Sequence, residues 1–310
     1  IQIMAKAAVD GNWVLHTKAM SYYIAEFHTS GYAMFDCSTV NVPFLPVEGS
    51  QGLTVPSKCF TDDGATLFGF AILRMDLHPH ASKFGVKQHP ALSECIDCLI
   101  RQPPSTKRDA RVIFKYLAGR VSELSGRDID RVGSAQVVPV STIQDEMEKK
   151  VVRRVAPRLC YLGDGEDYKD IFDFVDFGQE ANLFLMAVGS KREPTKVEIA
   201  RMLVKEPARI SASFQSADKY LKLLRTLAEH VSTLKRDREL FQEMRRSAFL
   251  LASRDITSLA QEQAAKDDHV SDDEDEDQSI KEWTLTVAKD AVVVDDFQSF
   301  NLFKEHILAA

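Results

Sequence analysis

Between Pro90 and Val140 the sequence carries helix start and stop signals in quick succession, and they leave little choice of local structure. Ala91, Leu92, Cys95, Ile96, Leu99 and Ile100 recur at spacings of three and four until Pro103 and Pro104. That period is the apolar stripe of an amphipathic helix, and the prolines end it because they lack an amide proton. Thr106 with Asp109 reads as a capping box, which predicts a second helix with Ala110, Ile113, Phe114, Leu117, Val121 and Leu124 on one face. Ser125 with Asp128 opens a short third helix leading into AQVVPV, a strand that ends near Val140.

The flanking regions are read from the same signals. Before Pro90, β-like runs such as VNVPFLPV (40–47) and LTVP (53–56) are broken by Pro and Gly, which suits loops and edge strands. After Leu159 a comparable order recurs: CYLG as a strand, the aromatic FDFVDFG, a helix from about Gln179, and another opened by Thr195 and Glu198. Ala217, Tyr220, Leu224, Leu227, Val231 and Leu234 keep a three-four spacing too short for a coiled coil, so a packed helical hairpin is expected. EWTLTVA and AVVVDDF read as two β-like runs, followed by a helix from about Gln298.

The formal charge of −7 is concentrated. Residues 267–277 hold eight acidic side chains, and without them the chain is close to neutral. This block has almost no apolar residue and should stay disordered. The neutral remainder lacks the basic excess of a dedicated nucleic-acid binder. Five cysteines at irregular spacing do not form a disulfide framework, so a reducing, intracellular setting is expected, cytoplasmic rather than nuclear. The longest apolar runs, such as LFLMAV (183–188), fall far short of the roughly 18 to 20 residues a bilayer span needs. The chain begins at Ile1 without an initiator Met and stops at Ala310 within a helix-like run, so it reads as a fragment of a longer protein.

Candidate sites are few. LHPHASKFGVKQHPALSECIDC (77–98) gathers three histidines and two cysteines, which makes His78, His80, Cys95 and Cys98 candidate zinc ligands. Against that, Cys95 falls inside the apolar face while Cys98 falls off it. Pro79 should also hold His78 extended and start a turn that sends His80 elsewhere. The structural reading is preferred. Asp295 and Asp296 could bind a metal at a strand end, although two aspartates ahead of a helix are ordinary capping chemistry. Lys235, Arg236, Arg238, Arg245 and Arg246 form a possible basic interaction face, interleaved with Asp237, Glu239 and Glu243. Ser271, followed by SDDEDED-type acidity, is a possible phosphosite. DDGATLFG (62–69) and LGDGED (162–167) lack the second glycine or lysine of phosphate loops and read as turns. No catalytic, cofactor-binding or nucleotide motif is found.

The segments CYLGDGEDYKDIFDFVDFGQEANLFLMAVGSKREP and ADKYLKLLRTLAEHVSTLKRDRELFQEMRRSAFLLASRDI resemble a fungal domain family of unknown function found in very large proteins. LRMDLHPHASKFGVKQHP and VVVDDFQSFNLFKEHILAA fit the same family, so the resemblance covers most of the chain. It implies a parent that begins with a GHKL-type ATP-binding domain, the fold of gyrase B, histidine kinases and heat-shock chaperones. The VVPV module and LFLMAVGSKREPTKVEIARML also look faintly like sacsin-type repeats. The ExxxN helix and DxGxG loop of GHKL domains have no counterpart here, so the resemblance assigns no ATPase chemistry to this segment.

The expected fold is α+β and helix-rich, with two modules: an N-terminal α+β module over 1–141 and a helix-rich module over 142–262. A disordered acidic loop (263–280) and a strand-strand-helix segment (281–310), itself truncated, complete it. The expected function is a non-catalytic scaffold or interaction region without cofactors. Its partners would be other proteins or other domains of the same chain, with no membrane and no nucleic acid. The alternatives are a metal-dependent enzyme and a nucleic-acid-binding segment.

Overall fold

The computed structural model describes residues 1–141, 152–165, 168–214, 216–255 and 281–290. It is helix-rich α+β, with short strands paired two by two. Two compact units divide it: Ile1–Leu162 with Val175–Lys191, and Gly163–Phe174 with Arg192–Ala310.

The first unit opens with helices α1 (Gln2–Val9) and α2 (Trp13–Ala25), joined through Gly11 at φ 69°. Neither helix is legible in the sequence, because α2 has no clean apolar stripe. It buries His16, Met20 and Tyr23 while leaving Trp13, Val14, Leu15 and Tyr22 exposed. Asn12 caps it by accepting the Leu15 amide at 3.0 Å. Met4, Met20 and Tyr23 pack with Phe44, Leu45, Leu73 and Phe84 in one core, where Tyr23 stacks on Phe84 at 5.4 Å. His16 is buried because its Nε2 donates to the Phe44 carbonyl at 2.9 Å. The strands here are two residues long: Leu45–Pro46 against Leu53–Thr54, antiparallel, and Cys59–Phe60 beside Ala71–Ile72, parallel. Pro46 has no amide to extend its ladder.

A second core in the same unit holds α3 (Leu92–Arg101), α4 (Lys107–Ala118), α5 (Gly126–Ser134) and α6 (Gln179–Ala187). The strands Val138–Ser141 and Val152–Val155 pair antiparallel, with Val138 opposite Val155. Phe114 of α4 meets the edge of Phe177 at 5.2 Å and stacks on Phe184 of α6 at 5.7 Å. Gly133 of α5 admits a close approach: a β-carbon there would lie 2.5 Å from the Val188 carbonyl oxygen and 2.8 Å from Arg158 Nε. Where the sequence reading placed a module boundary between 141 and 142, this core continues through Val155, Cys160, Leu162 and α6, because Val175, Phe177 and Phe184 complete its apolar filling.

Helix α4 is shorter than its apolar period implies. It stops at Ala118, and Arg120 turns back to donate to Glu123 at 2.6 and 2.8 Å and to the Pro90 carbonyl at 3.0 Å. Val121 and Leu124 still reach the core, from a 3-10 turn instead of an α-helix. The caps also differ in detail. Thr106 and Ser125 accept the Asp109 and Asp128 amides at 3.0 and 3.1 Å, yet both aspartates bond the capping hydroxyl instead of the cap amide. Glu198, one methylene longer, accepts the Thr195 amide at 2.8 Å and closes the reciprocal box.

In the second unit, α7 (Lys196–Lys205), α8 (Pro207–Ser213), α9 (Ala217–Glu229), the single turn α10 (Val231–Leu234) and α11 (Arg238–Arg246) surround Ile199, Leu203, Ile210, Tyr220, Leu224 and Leu240. Tyr220 is buried and donates to the Phe249 carbonyl at 2.6 Å. The stripe from Ala217 to Leu234 is interrupted at His230, whose Nδ1 donates to the Thr226 carbonyl at 2.9 Å. Leu250–Asp255 pairs antiparallel with Lys281–Thr286, Trp283 opposite Ser253. The acidic segment 263–280 falls between these strands in chain order and lies outside the described residues, as do 291–310.

The aromatic contacts of α4 generate a test. Phe114→Ala empties the space against two rings and should destabilise the first unit by about 3–5 kcal/mol. The chain has two tryptophans, one in each unit, so a Trp283→Phe background leaves Trp13 as the fluorescence reporter of urea unfolding. A loss below about 1 kcal/mol would show that the ring does not anchor this core.

Candidate functional site

The His/Cys stretch separates when folded. Leu77, Ala81 and Phe84 are buried, and their burial winds Met75–Phe84 into a run of 3-10 turns that includes His78. The extended conformation expected at His78 ahead of Pro79 is therefore replaced by a helical one, since three buried side chains outweigh the local preference. His78 Nε2 donates to the Leu73 carbonyl at 2.7 Å, and His80 is partly exposed on the same run. Cys95 is wholly buried between Leu92, Ile96 and Leu99, and burial pushes its thiol up to about 12. Cys98 stays partly exposed, 3.4 Å from a guanidinium nitrogen of Arg101. Among the described residues no three His, Cys, Asp or Glu side chains are placed to hold a metal ion.

The third histidine of the stretch, His89, belongs to a polar cluster that spacing alone does not reveal. Asp62 caps the 3-10 turn Asp63–Phe68 by accepting the Gly64 amide at 3.2 Å. The same carboxylate accepts His89 Nδ1 at 3.0 Å and the Tyr116 hydroxyl of α4 at 2.8 Å. Arg120 donates to Tyr116 at 3.3 Å and lies over its ring. Gly64 is required beneath that ring, because a β-carbon would come within 2.3 Å of it. Burial raises the Asp62 carboxyl, but the bonds from Tyr116, His89 and Gly64 outweigh it and hold the group below the usual carboxylate range. Burial and then Asp62 push Tyr116 up to about 12. An imidazole oriented by a carboxylate is the geometry of a general base. Here the carboxylate is occupied by three donors from separate segments, and Arg120 is held by Glu123 and Pro90, so the cluster works as a clamp joining the Asp62 turn, the His89 loop and α4.

The five basic residues fall on the segment 235–246, and all are exposed. Arg238 and Arg245, seven apart, share a face of α11. Asp237 is removed from that face: it accepts the Leu240 amide at 3.1 Å and pairs with Arg201 of α7 at 2.5 Å. Both bonds, the amide first, hold its carboxyl below the ordinary value. Ser271, Asp295 and Asp296 lie outside the described residues.

A concave feature that the sequence reading missed sits in the first unit. A shallow, open depression of about 570 Å³ is lined by Ala5, Val9 and Trp13 of the helical pair, by Val42 and Pro43 of the following loop and by Leu53 of the short strand after it. Val9 is 86% exposed, Trp13 41% and Val42 49%. Val9, Trp13 and Val42 thus keep apolar surface in water around this depression. The signal available in the sequence was the absence of a polar face on WVLHTKAMSYYIA. No described helix is long and apolar enough to cross a membrane.

Two tests follow from these sites. Asp62→Ala strands three donors and should cost about 1–3 kcal/mol. Its pH dependence has a definite sign: a carboxyl depressed in the folded state adds stability above its unfolded value of about 3.9, and that contribution vanishes as pH falls through the lower folded value. The gap between the native chain and Asp62→Ala should therefore narrow in acid, and an unchanged gap down to pH 2 would contradict the clamp. The second test is the double variant His78→Ala, His80→Ala. It should lose about 1 kcal/mol through the missing Leu73 bond, with zinc content by atomic absorption unchanged from the native chain; one zinc per native chain, lost in the variant, would restore the metal reading.

Comparison with known proteins agrees on one point. A family model described as protein of unknown function (DUF3684) matches residues 1–310. No curated protein and no solved structure matches the chain. With every residue covered by that match, the chain belongs to the DUF3684 family.

Proposed function

We propose that this chain is a non-catalytic scaffold or interaction region of a large intracellular, cytoplasmic protein. Its occupants are other proteins or other domains of its own parent, and neither a membrane nor a nucleic acid. The observation that carries the reading is the apolar depression between α1, α2 and residues 42–53, with Val9, Trp13 and Val42 exposed around it. The polar clusters support it as well, since Asp62, Tyr116 and Arg120 are engaged in holding segments together. In this reading the parent is related to GHKL-type ATPases, as the resemblance to fungal GHKL-associated and sacsin-like proteins suggests, and its ATP chemistry belongs to another domain.

Site-specific photo-crosslinking tests this reading. A photoreactive phenylalanine analogue at Val9 of the full-length protein, in cells, should give one dominant adduct that mass spectrometry maps to a defined peptide. The same probe at exposed Arg127 serves as the control. An adduct pattern at Val9 indistinguishable from that at Arg127 overturns the interaction reading.

A further inference from the structure

Neither the groove nor the Asp62 clamp involves the two blocks of opposite charge in the second unit. Residues 192–255, which carry α7 to α11, hold fourteen arginines and lysines against nine aspartates and glutamates, whereas residues 256–280 hold nine acidic side chains and one lysine. On α11 the cations are sorted to one side. With 3.6 residues per turn, Arg245, Arg238, Gln242 and Arg246 share an arc of about 100°, opposite the buried Leu240, and all four are exposed. The acids lie beyond one edge of that arc: Asp237 first, then Glu239 and Glu243, hold the guanidinium of Arg201 on α7 in its charged form. The outward arc itself carries three arginines and no acid.

The acidic block is tied to this unit at both ends. It follows the strand Leu250–Asp255 and precedes Lys281–Thr286, which pair with Asp255 opposite Lys281, and the turn Ala288–Asp290 after them packs against α11. The six-residue strands cover about 20 Å, and the chain from Asp255 to Asp267 can reach about 40 Å, so residues 267–277 are long enough on their tether to meet the arginine arc. Independently of the groove, we infer that the outward face of α11 is a docking surface and that its occupant is the chain's own acidic segment 267–277. Guanidiniums gathered on one face favour carboxylates, and eight carboxylates in eleven residues repel one another unless cations stand among them. Tethering makes even a weak contact effective, because the segment's local concentration at the face is in the millimolar range. Docked there, the segment withholds the arginines from other acidic polymers, and salt releases it.

A photoreactive phenylalanine analogue at Gln242, inside the arc, tests the assignment in the purified full-length protein. At low salt it should form an intramolecular adduct that mass spectrometry maps within 267–277, with yield at least fivefold lower in about 1 M sodium chloride, where the Debye length falls to about 3 Å. The same probe at exposed Glu229 of α9 is the control. The triple variant Arg238→Glu, Arg245→Glu, Arg246→Glu should lower the yield at least fivefold, with unchanged thermal unfolding because the three positions are exposed. Replacing the eight acidic residues of 267–277 by asparagine and glutamine leaves α11 untouched and should lower it to the same extent. A yield at Gln242 no higher than at Glu229, or one that neither salt nor the neutralised segment reduces, overturns the proposal. An adduct of doubled mass assigns the face to a second copy and overturns it as well. Single-stranded RNA bound equally tightly by the native protein and the neutralised variant would show that the segment does not cover the arginines, with the same consequence.

Discussion

The first unit depends on how α4 is held. Phe114 meets Phe177 on one ring and Phe184 on another, and this contact draws residues 175–191 into a core that α3, α4 and α5 could not close alone. Three amphipathic helices leave an open apolar face, and burying aromatic surface against it is the largest local gain available. The close approach of α5 at Gly133 to the Val188 carbonyl follows from the same closure.

The C-terminal turn of α4 and the residues just past it perform a different task. Tyr116 and Arg120 project toward the Asp62 turn and the His89 loop, where a carboxylate, a phenol, an imidazole and a guanidinium satisfy one another. The segment 107–120 therefore supplies both an apolar anchor, Phe114, and two members of a polar clamp, Tyr116 and Arg120. Exposed apolar surface is left elsewhere, on α1, α2 and residues 42–53.

Legibility of the fold followed the range of the forces involved. The helices from Leu92 to Ser134 were readable because capping and three-four periodicity act within a few residues. The end of α4 was not: the spacing of Val121 and Leu124 continued the stripe, and only the bonds of Arg120 to Glu123 and Pro90 show that the chain turns there. Helices α1 and α2 escaped detection because their apolar residues serve both a core and an exposed groove, which erases the one-sided pattern. The Asp62 clamp joins residues 27 and 54 positions apart, beyond the reach of any local motif.

The sequence by itself determined the helix-rich α+β class, the Thr106, Ser125 and Thr195 starts, and the inward placement of Cys95, because these depend on side-chain periodicity and on hydrogen bonds within one turn. Tertiary structure alone decided that α6 completes the first core, that His78 and His89 serve different partners, and that a groove opens beside Trp13. Those outcomes depend on which distant surfaces meet, and contacts between residues far apart in sequence leave no periodic trace along the chain.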